Sequence, residues 1–179
     1  MSGELGLGVG SEGQIRTPTR VGTDSDWTAV SAGQLSTCGI RLDSTLWCWG
    51  DDEFGQLGIE GSADLFDPTR VGAESGWTDV SVNTFGACAI REGVLYCWGR
   101  NDEGQLGLGD NMARETPAQV GGDSDWVEVE SGRFHTCARR ADATVWCTGE
   151  NHDDGRLGVG DYERRNVLTA VTEPGAEPQ

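Results

Sequence analysis

Leu95-Tyr-Cys-Trp-Gly99-Arg-Asn101-Asp-Glu-Gly104-Gln-Leu-Gly-Leu-Gly-Asp110 lies near the middle of the 179-residue chain and returns on both sides of itself. Upstream stand Leu46-Trp-Cys-Trp-Gly50 and Gly55-Gln-Leu-Gly58. Downstream stand Cys147-Thr-Gly149-Glu-Asn151 and Gly155-Arg-Leu-Gly-Val-Gly-Asp161. The register is set by Trp27, Trp77 and Trp126, which lie 50 and 49 positions apart. Cys38, Cys88 and Cys137 repeat with the same steps, and Cys48, Cys97 and Cys147 follow at 49 and 50. Leu-Gly recurs at Leu5, Leu57, Leu106 and Leu157. A period of this length marks a repeat architecture in which each copy is one supersecondary unit. The copies run approximately 5–56, 57–105 and 106–156, with a partial fourth at 157–171. The Pro/Gly/Glu-rich tail 172–179 reads as a disordered linker.

Each copy reads as strands. Trp27-Thr-Ala-Val-Ser31 alternates apolar and polar residues, as do its counterparts from Trp77 and Trp126, and a period of two is the strand signal. A second strand spans residues 36–41 and a third Thr45-Leu-Trp-Cys-Trp49. A shorter one is expected over 17–21, starting at a proline suited to a strand end or sheet edge. Four short strands per copy suit a propeller blade or a sandwich, and the strict repeat favours the propeller. Alternation places Trp47 and Trp49 on the face opposite Cys48, in packed core roles.

The cysteines of a copy are 10, 9 and 10 positions apart. In the middle copy Glu92-Gly93 makes a two-residue turn. Counting outward from Arg91/Val94 brings Cys88 opposite Cys97 at a non-hydrogen-bonded pair, where Cα atoms stand about 4.5 Å apart, close enough for a disulfide. Three-residue turns at Leu42-Asp43-Ser44 and Ala141-Asp142-Ala143 absorb the extra residue, so Cys38/Cys48 and Cys137/Cys147 face each other in the same way. Disulfides are the expected state, with free buried thiols the alternative. Zinc would need short cysteine spacings and further Cys or His, and the chain has two histidines. Disulfides imply an oxidising compartment: extracellular, periplasmic or cell-surface.

Net charge is −17, with 13 basic residues, all arginine, against 30 acidic ones. A duplex binder neutralises phosphates with Lys and Arg, so nucleic acid is not the expected partner. The acidity reads as solubility. No run of 18 apolar residues exists to cross a membrane. Nothing near Met1 resembles a signal peptide, and the start reads as a trimmed end.

The quoted strings, with Gly132-Arg-Phe-His135-Thr-Cys-Ala138, resemble the repeat of the regulator of chromosome condensation family over residues 4 to about 171. The resemblance implies a β-propeller, usually of seven blades. Members act as exchange factors for small GTPases, enzyme inhibitors, light receptors, and adhesion or scaffold modules. Paired cysteines in every copy resemble the bacterial extracellular variety. Ser36 and Gly86 stand where the third copy has His135, and Thr148 stands where the second tryptophan recurs. The family pattern implies a structural hydrogen bond for His135. The tryptophan clustering with arginine and histidine that a light receptor needs is not evident in the sequence, and the acidity speaks against chromatin docking.

The fold class is therefore all-β: four-stranded antiparallel propeller blades in a partial ring of three blades plus part of a fourth. Such an arc leaves a strand edge and an apolar face bare at each end. Either it is a piece of a longer propeller or identical chains complete the ring. A homodimer or other closed homo-oligomer is expected.

Strand polarity puts the loop between the first and second strands on the same rim as the loop leaving the third. That rim carries the expected partner-binding residues Leu35, Phe54, Phe85, Arg133 and Phe134, of the residue types that anchor interfaces. The competing reading packs these aromatics between blades. Asp51-Asp52-Glu53 lacks the spacing of a calcium loop and reads as a solvated turn. Leu-Gly-Leu-Gly has no following helix with which to cradle phosphate. His152 reads as exposed. No catalytic residue, cofactor site or metal ligand is assigned. The expected function is a non-enzymatic, protein-binding scaffold outside the cytoplasm. The alternatives are a self-assembling structural fragment, and an inhibitor or carbohydrate-acting enzyme of propeller fold.

Overall fold

The computed structural model describes residues 3–8, 15–61, 63–152 and 154–172. Among them are twelve strands in three four-stranded antiparallel sheets, each in sequential order, and no helix. The first sheet holds β1 (Trp27–Ala32), β2 (Ser36–Arg41), β3 (Leu46–Gly50) and β4 (Leu65–Arg70). The second holds β5 (Trp77–Val82), β6 (Gly86–Arg91), β7 (Val94–Gly99) and β8 (Arg114–Gln119). The third holds β9 (Trp126–Ser131), β10 (His135–Arg140), β11 (Val145–Gly149) and β12 (Arg165–Ala170). Each sheet thus takes its fourth strand from residues beyond the Leu-Gly pair that opens the next sequence copy.

The hairpins form as their turns dictate. Glu92 and Gly93 both have positive φ, 51° and 80°, the requirement of a two-residue turn matched to strand twist. In the three-residue turns the last residue, Ser44 or Ala143, takes the left-handed conformation. Asp43 and Asp142 secure these turns by accepting from the backbone N–H of Thr45 and Thr144. The resulting registers put Cys38 opposite Cys48, Cys88 opposite Cys97 and Cys137 opposite Cys147. All three pairs are disulfides with Cα–Cα distances of 4.1 Å. Each closes a short loop, a constraint of about 2–3 kcal/mol on the unfolded chain.

Residues 17–21 do not form the expected strand. Pro18-Thr-Arg-Val21 repeats Pro68-Thr-Arg-Val71, but β4 exists because Arg70 and Thr69 pair with Trp47 and Cys48 of β3. The described chain offers 17–21 no such neighbour, so propensity alone does not make the strand. The linker expectation for the tail falls, from residue 173 on, outside the described residues.

The sheets stack face to face. Cys38, Ile40, Leu46 and Leu57 of the first sheet, with Val71 just beyond β4, pack against Trp77, Val80, Ala89 and Trp98 of the second. The other face of the second sheet, carrying Cys88, Ile90, Leu95 and Leu106, packs against Trp126, Val129 and Ala138 of the third. Cystines and tryptophans therefore lie on opposite faces, as alternation requires. The first strands of successive sheets run side by side without a shared ladder. Their outward amides are satisfied by side chains of the sheet before: Val82 N donates to Ser31 Oγ (2.9 Å), Ser131 N to Ser81 Oγ (2.8 Å) and Val129 N to Asp79 Oδ2 (2.9 Å).

The two ends of the stack differ. On the second sheet Trp98 Nε1 donates to Gln56 O at 2.9 Å. On the first sheet Trp49 Nε1 donates to Glu4 O at 3.1 Å. Residues 3–8 thus occupy the place that the turn of a preceding sheet would fill. Among the described residues the far face of the third sheet has no such cover: Val145 is 37% and Val171 40% exposed, while their counterparts Leu46, Leu95, Val71 and Val120 are buried.

Candidate partner-binding rim

The loops β1–β2, β5–β6 and β9–β10 meet the segments leaving β3, β7 and β11. Asp51 N donates to Leu35 O (2.9 Å), Arg100 N to Phe85 O (2.9 Å) and Glu150 N to Phe134 O (2.8 Å). Gly50, Gly99 and Gly149 make this approach possible. Each has positive φ, and a Cβ on Gly99 would stand 2.4 Å from Phe85 O. Asn83 Oδ1 fixes the second loop by accepting from Phe85 N at 2.8 Å.

This scaffold brings four of the expected residues together. Phe54 meets Phe85 edge-on at 5.2 Å between centroids, and Phe85 stacks with Phe134 at 5.9 Å and 24°. Each phenylalanine belongs to a different sheet and each is half-buried. The rings do pack between blades, as the competing reading held, and they still present surface. Arg133 lies over Phe134 and Phe85 at 5.0 and 5.7 Å and is exposed. It makes no hydrogen bond or ion pair with any described residue. Leu35 holds the equivalent rim position on the first sheet and is exposed.

Arg100 is the residue sequence reasoning missed. Its guanidinium sits over Phe54, Phe85 and Phe134 at 5.6, 4.9 and 5.7 Å. Two hydrogen bonds to Asp102, 2.7 and 2.5 Å, hold it there. The pairing raises the Arg100 pKa and lowers that of Asp102. The only signal was its place directly after Gly99 in the repeat string.

The acidic turn is not solvated throughout. Asp51 Oδ1 accepts from Gln56 Nε2 (2.5 Å) and Glu53 N (3.2 Å). Asp52 is 2% exposed and accepts from Leu57 N at 2.9 Å. Burial pushes its carboxyl up to about 6, against the Leu57 hydrogen bond, with Asp51, Glu115 and Asp64 adding to the rise. A run of three acids reads as surface, but the turn needs an acceptor inside.

His135 departs from the family expectation. Its Nδ1 is buried without a hydrogen-bond partner, and its ring fills the space beside Gly132. Burial, then Arg156, lowers its pKa. His152 is exposed. The tryptophan–arginine clustering not evident in sequence is present: Arg41 lies over Trp27 and Trp47 at 4.7 and 3.9 Å, and Arg140 over Trp126 and Trp146 at 4.7 Å each.

Sequentially ordered four-stranded sheets stacked about their first strands define the chain as a β-propeller segment. The profile of the Regulator of chromosome condensation (RCC1) repeat matches residues 92–139, and a second profile of the same description matches 27–56 and 126–155. The chain belongs to the RCC1 repeat family. Among solved structures it is similar to human WBSCR16, with 23% identity and a TM-score of 0.84 over 97% of this chain and 47% of that one. It is also similar to yeast RCC1 (Prp20) in a structure where Kap60 is bound to that protein, with 20% identity and a TM-score of 0.80 over 96% and 43%. A structure of Prp20p from Saccharomyces cerevisiae, described with its binding to Gsp1p and histones, gives 19% identity and 0.73 over 83% and 39%. The chain spans less than half the length of these proteins. No curated protein matches it.

Proposed function

We propose that this chain is a non-enzymatic, protein-binding propeller scaffold of an extracytoplasmic protein, and that its partner seats on the rim built by Phe54, Phe85, Phe134, Arg100 and Arg133, with Leu35 at its edge. The observation that carries this reading is the continuous aromatic array across three sheets with an exposed arginine on top. Aromatic and arginine side chains are the residues that dominate binding energy at protein interfaces. Prp20, a protein of similar fold, is described with its binding to Gsp1p and histones and in a structure with Kap60 bound to it, which supports the class of function and not a particular partner. The three disulfides support an oxidising compartment.

The test is affinity capture from source-organism extract, quantified side by side for the native chain, Phe134→Ala, Arg133→Ala and Leu42→Ala. Leu42 is exposed on a turn at the opposite end of the sheets. A partner lost from both rim variants and kept by Leu42→Ala supports the rim. Equal recovery from all four chains sinks it.

A second reading follows from the exposed valines, Val145 and Val171, on the far face of the third sheet. A second copy that completes the ring would lay its first sheet against Val145 and Val171, burying both. Residues 3–8 would have to leave Trp49 for this to happen, because the partner's Leu157-Gly158 turn needs the same place. Sedimentation reads the result directly: twice the chain mass at micromolar concentration supports closure, and a strict monomer removes it.

A further inference from the structure

At the end of the sheets opposite the phenylalanine rim, each copy holds one arginine between two aromatic rings. Arg41, between Trp27 and Trp47, is closed by Asp24 Oδ2 at 2.6 Å. Arg140, between Trp126 and Trp146, is closed by Asp123, with Asp125 Oδ1 at 3.7 Å. Arg91 sits over Trp77 and Tyr96 at 5.2 and 4.6 Å. It donates to Tyr96 OH at 3.0 Å and pairs with no carboxylate among the described residues. The sequence explains the difference. Asp24-Ser-Asp26 and Asp123-Ser-Asp125 become Glu74-Ser-Gly76 in the middle copy. The longer Glu74 side chain turns back on its own loop, where Oε2 accepts from Ala73 N at 3.0 Å, and Gly76 has no side chain to offer.

A cavity of about 550 Å³ opens beside this unfilled position, within the size range of small-molecule sites. Arg91, Trp77 and Tyr96 line one part of it, Glu60 and Glu74 another, and Ile59, Val71 and Pro117 supply apolar wall. The two sister copies show that an arginine held between two rings accepts a carboxylate at its edge. In the middle copy no described residue supplies that carboxylate, and the position is open to one from outside the chain. A plain anion would meet two glutamates, and a plain cation would leave Arg91 unmatched.

We propose that the cavity binds a small zwitterion of the amino-acid type, its carboxylate on Arg91, its ammonium toward Glu60 and Glu74, and an apolar side chain against Ile59, Val71 and Pro117. The probe is L-leucine, titrated into the oxidised full chain and followed by calorimetry and ligand-observed NMR. Saturable binding is expected below about 10 mM. Arg91→Gln weakens it about tenfold or more. Glu74→Asp restores the sister copies' shorter carboxylate, so it abolishes binding while melting temperature stays level or rises, which separates loss of the site from loss of the fold. N-acetyl-leucine and leucinamide, each lacking one charge, bind at least about fivefold more weakly. Absence of saturable leucine binding overturns the proposal, as does leucine affinity indifferent to both Arg91→Gln and Glu74→Asp. N-acetyl-leucine binding as tightly as leucine overturns the zwitterion assignment.

Discussion

The junction between the first and second sheets and the junction between the second and third follow one plan with different parts. In the first, Trp98 is fully buried and reaches Gln56 O, and the turn that meets it is anchored by Asp52. In the second, Thr148 stands at the tryptophan position and its Oγ1 donates to Gly104 O at 2.9 Å, and the turn is anchored by Asn101. The anchors do unequal work. Asn101 Oδ1 accepts from Leu106 N (2.9 Å) while its Nδ2 donates to Asp110 O (2.9 Å) and Met112 O (3.1 Å). Asn151 repeats this, accepting from Leu157 N and donating to Asp161 O and Glu163 O. An ionised Asp52 can accept but cannot donate. The larger hydrophobic contact thus sits above the poorer polar anchor.

The largest effect should come from breaking the hydrophobic side of the contrast. Trp98→Ala empties the centre of the first junction and is expected to lower unfolding stability by about 3–5 kcal/mol, read by urea denaturation of the oxidised chain. Next, Asn101→Asp should give the second junction the defect of the first. It loses the amide donor and buries a charge, so a loss of about 3 kcal/mol is expected, and it should be partly regained on acidification as the new carboxyl protonates.

The reverse exchange, Asp52→Asn, should stabilise by about 1–3 kcal/mol at neutral pH. Its sign follows from linkage. The folded pKa, about 6, lies above the ordinary 3.8, so the native chain's Asp52 contribution is intact below about pH 4 and is lost as pH rises through 6. The stability difference between variant and native chain should therefore grow from pH 4 to 6 and level off above. A difference independent of pH would refute the buried-carboxyl account. The smallest effect belongs to Thr148→Val, which keeps the shape and removes one hydroxyl donor. About 1 kcal/mol is expected, and thermal melts of paired samples would resolve it.

The fold was legible because strand alternation and turn length are local. The Glu92-Gly93 turn fixes the register of β6 and β7 by counting, and the cystine follows. Residues 17–21 were misread because a strand also needs a neighbour, and sequence does not show one missing. Most of the rim's placement was legible: loop polarity put Leu35, Phe54, Phe85, Arg133 and Phe134 on one edge, but the contact of the three phenylalanines with Arg100 depends on how far the sheets lean together. The burial of Asp52 and the Trp–Arg–Trp stacks were hidden for a related reason. Both join residues that are unremarkable until a turn folds back on them.

Each cystine joins neighbours in sequence, and none of the six cysteines bonds into another copy. Although six thiols permit many pairings, a chain oxidised as it emerges would complete each native bond before the next pair of thiols appeared. Correct crosslinking then needs no search among distant partners, and lengthening the protein by further copies would leave that task no harder.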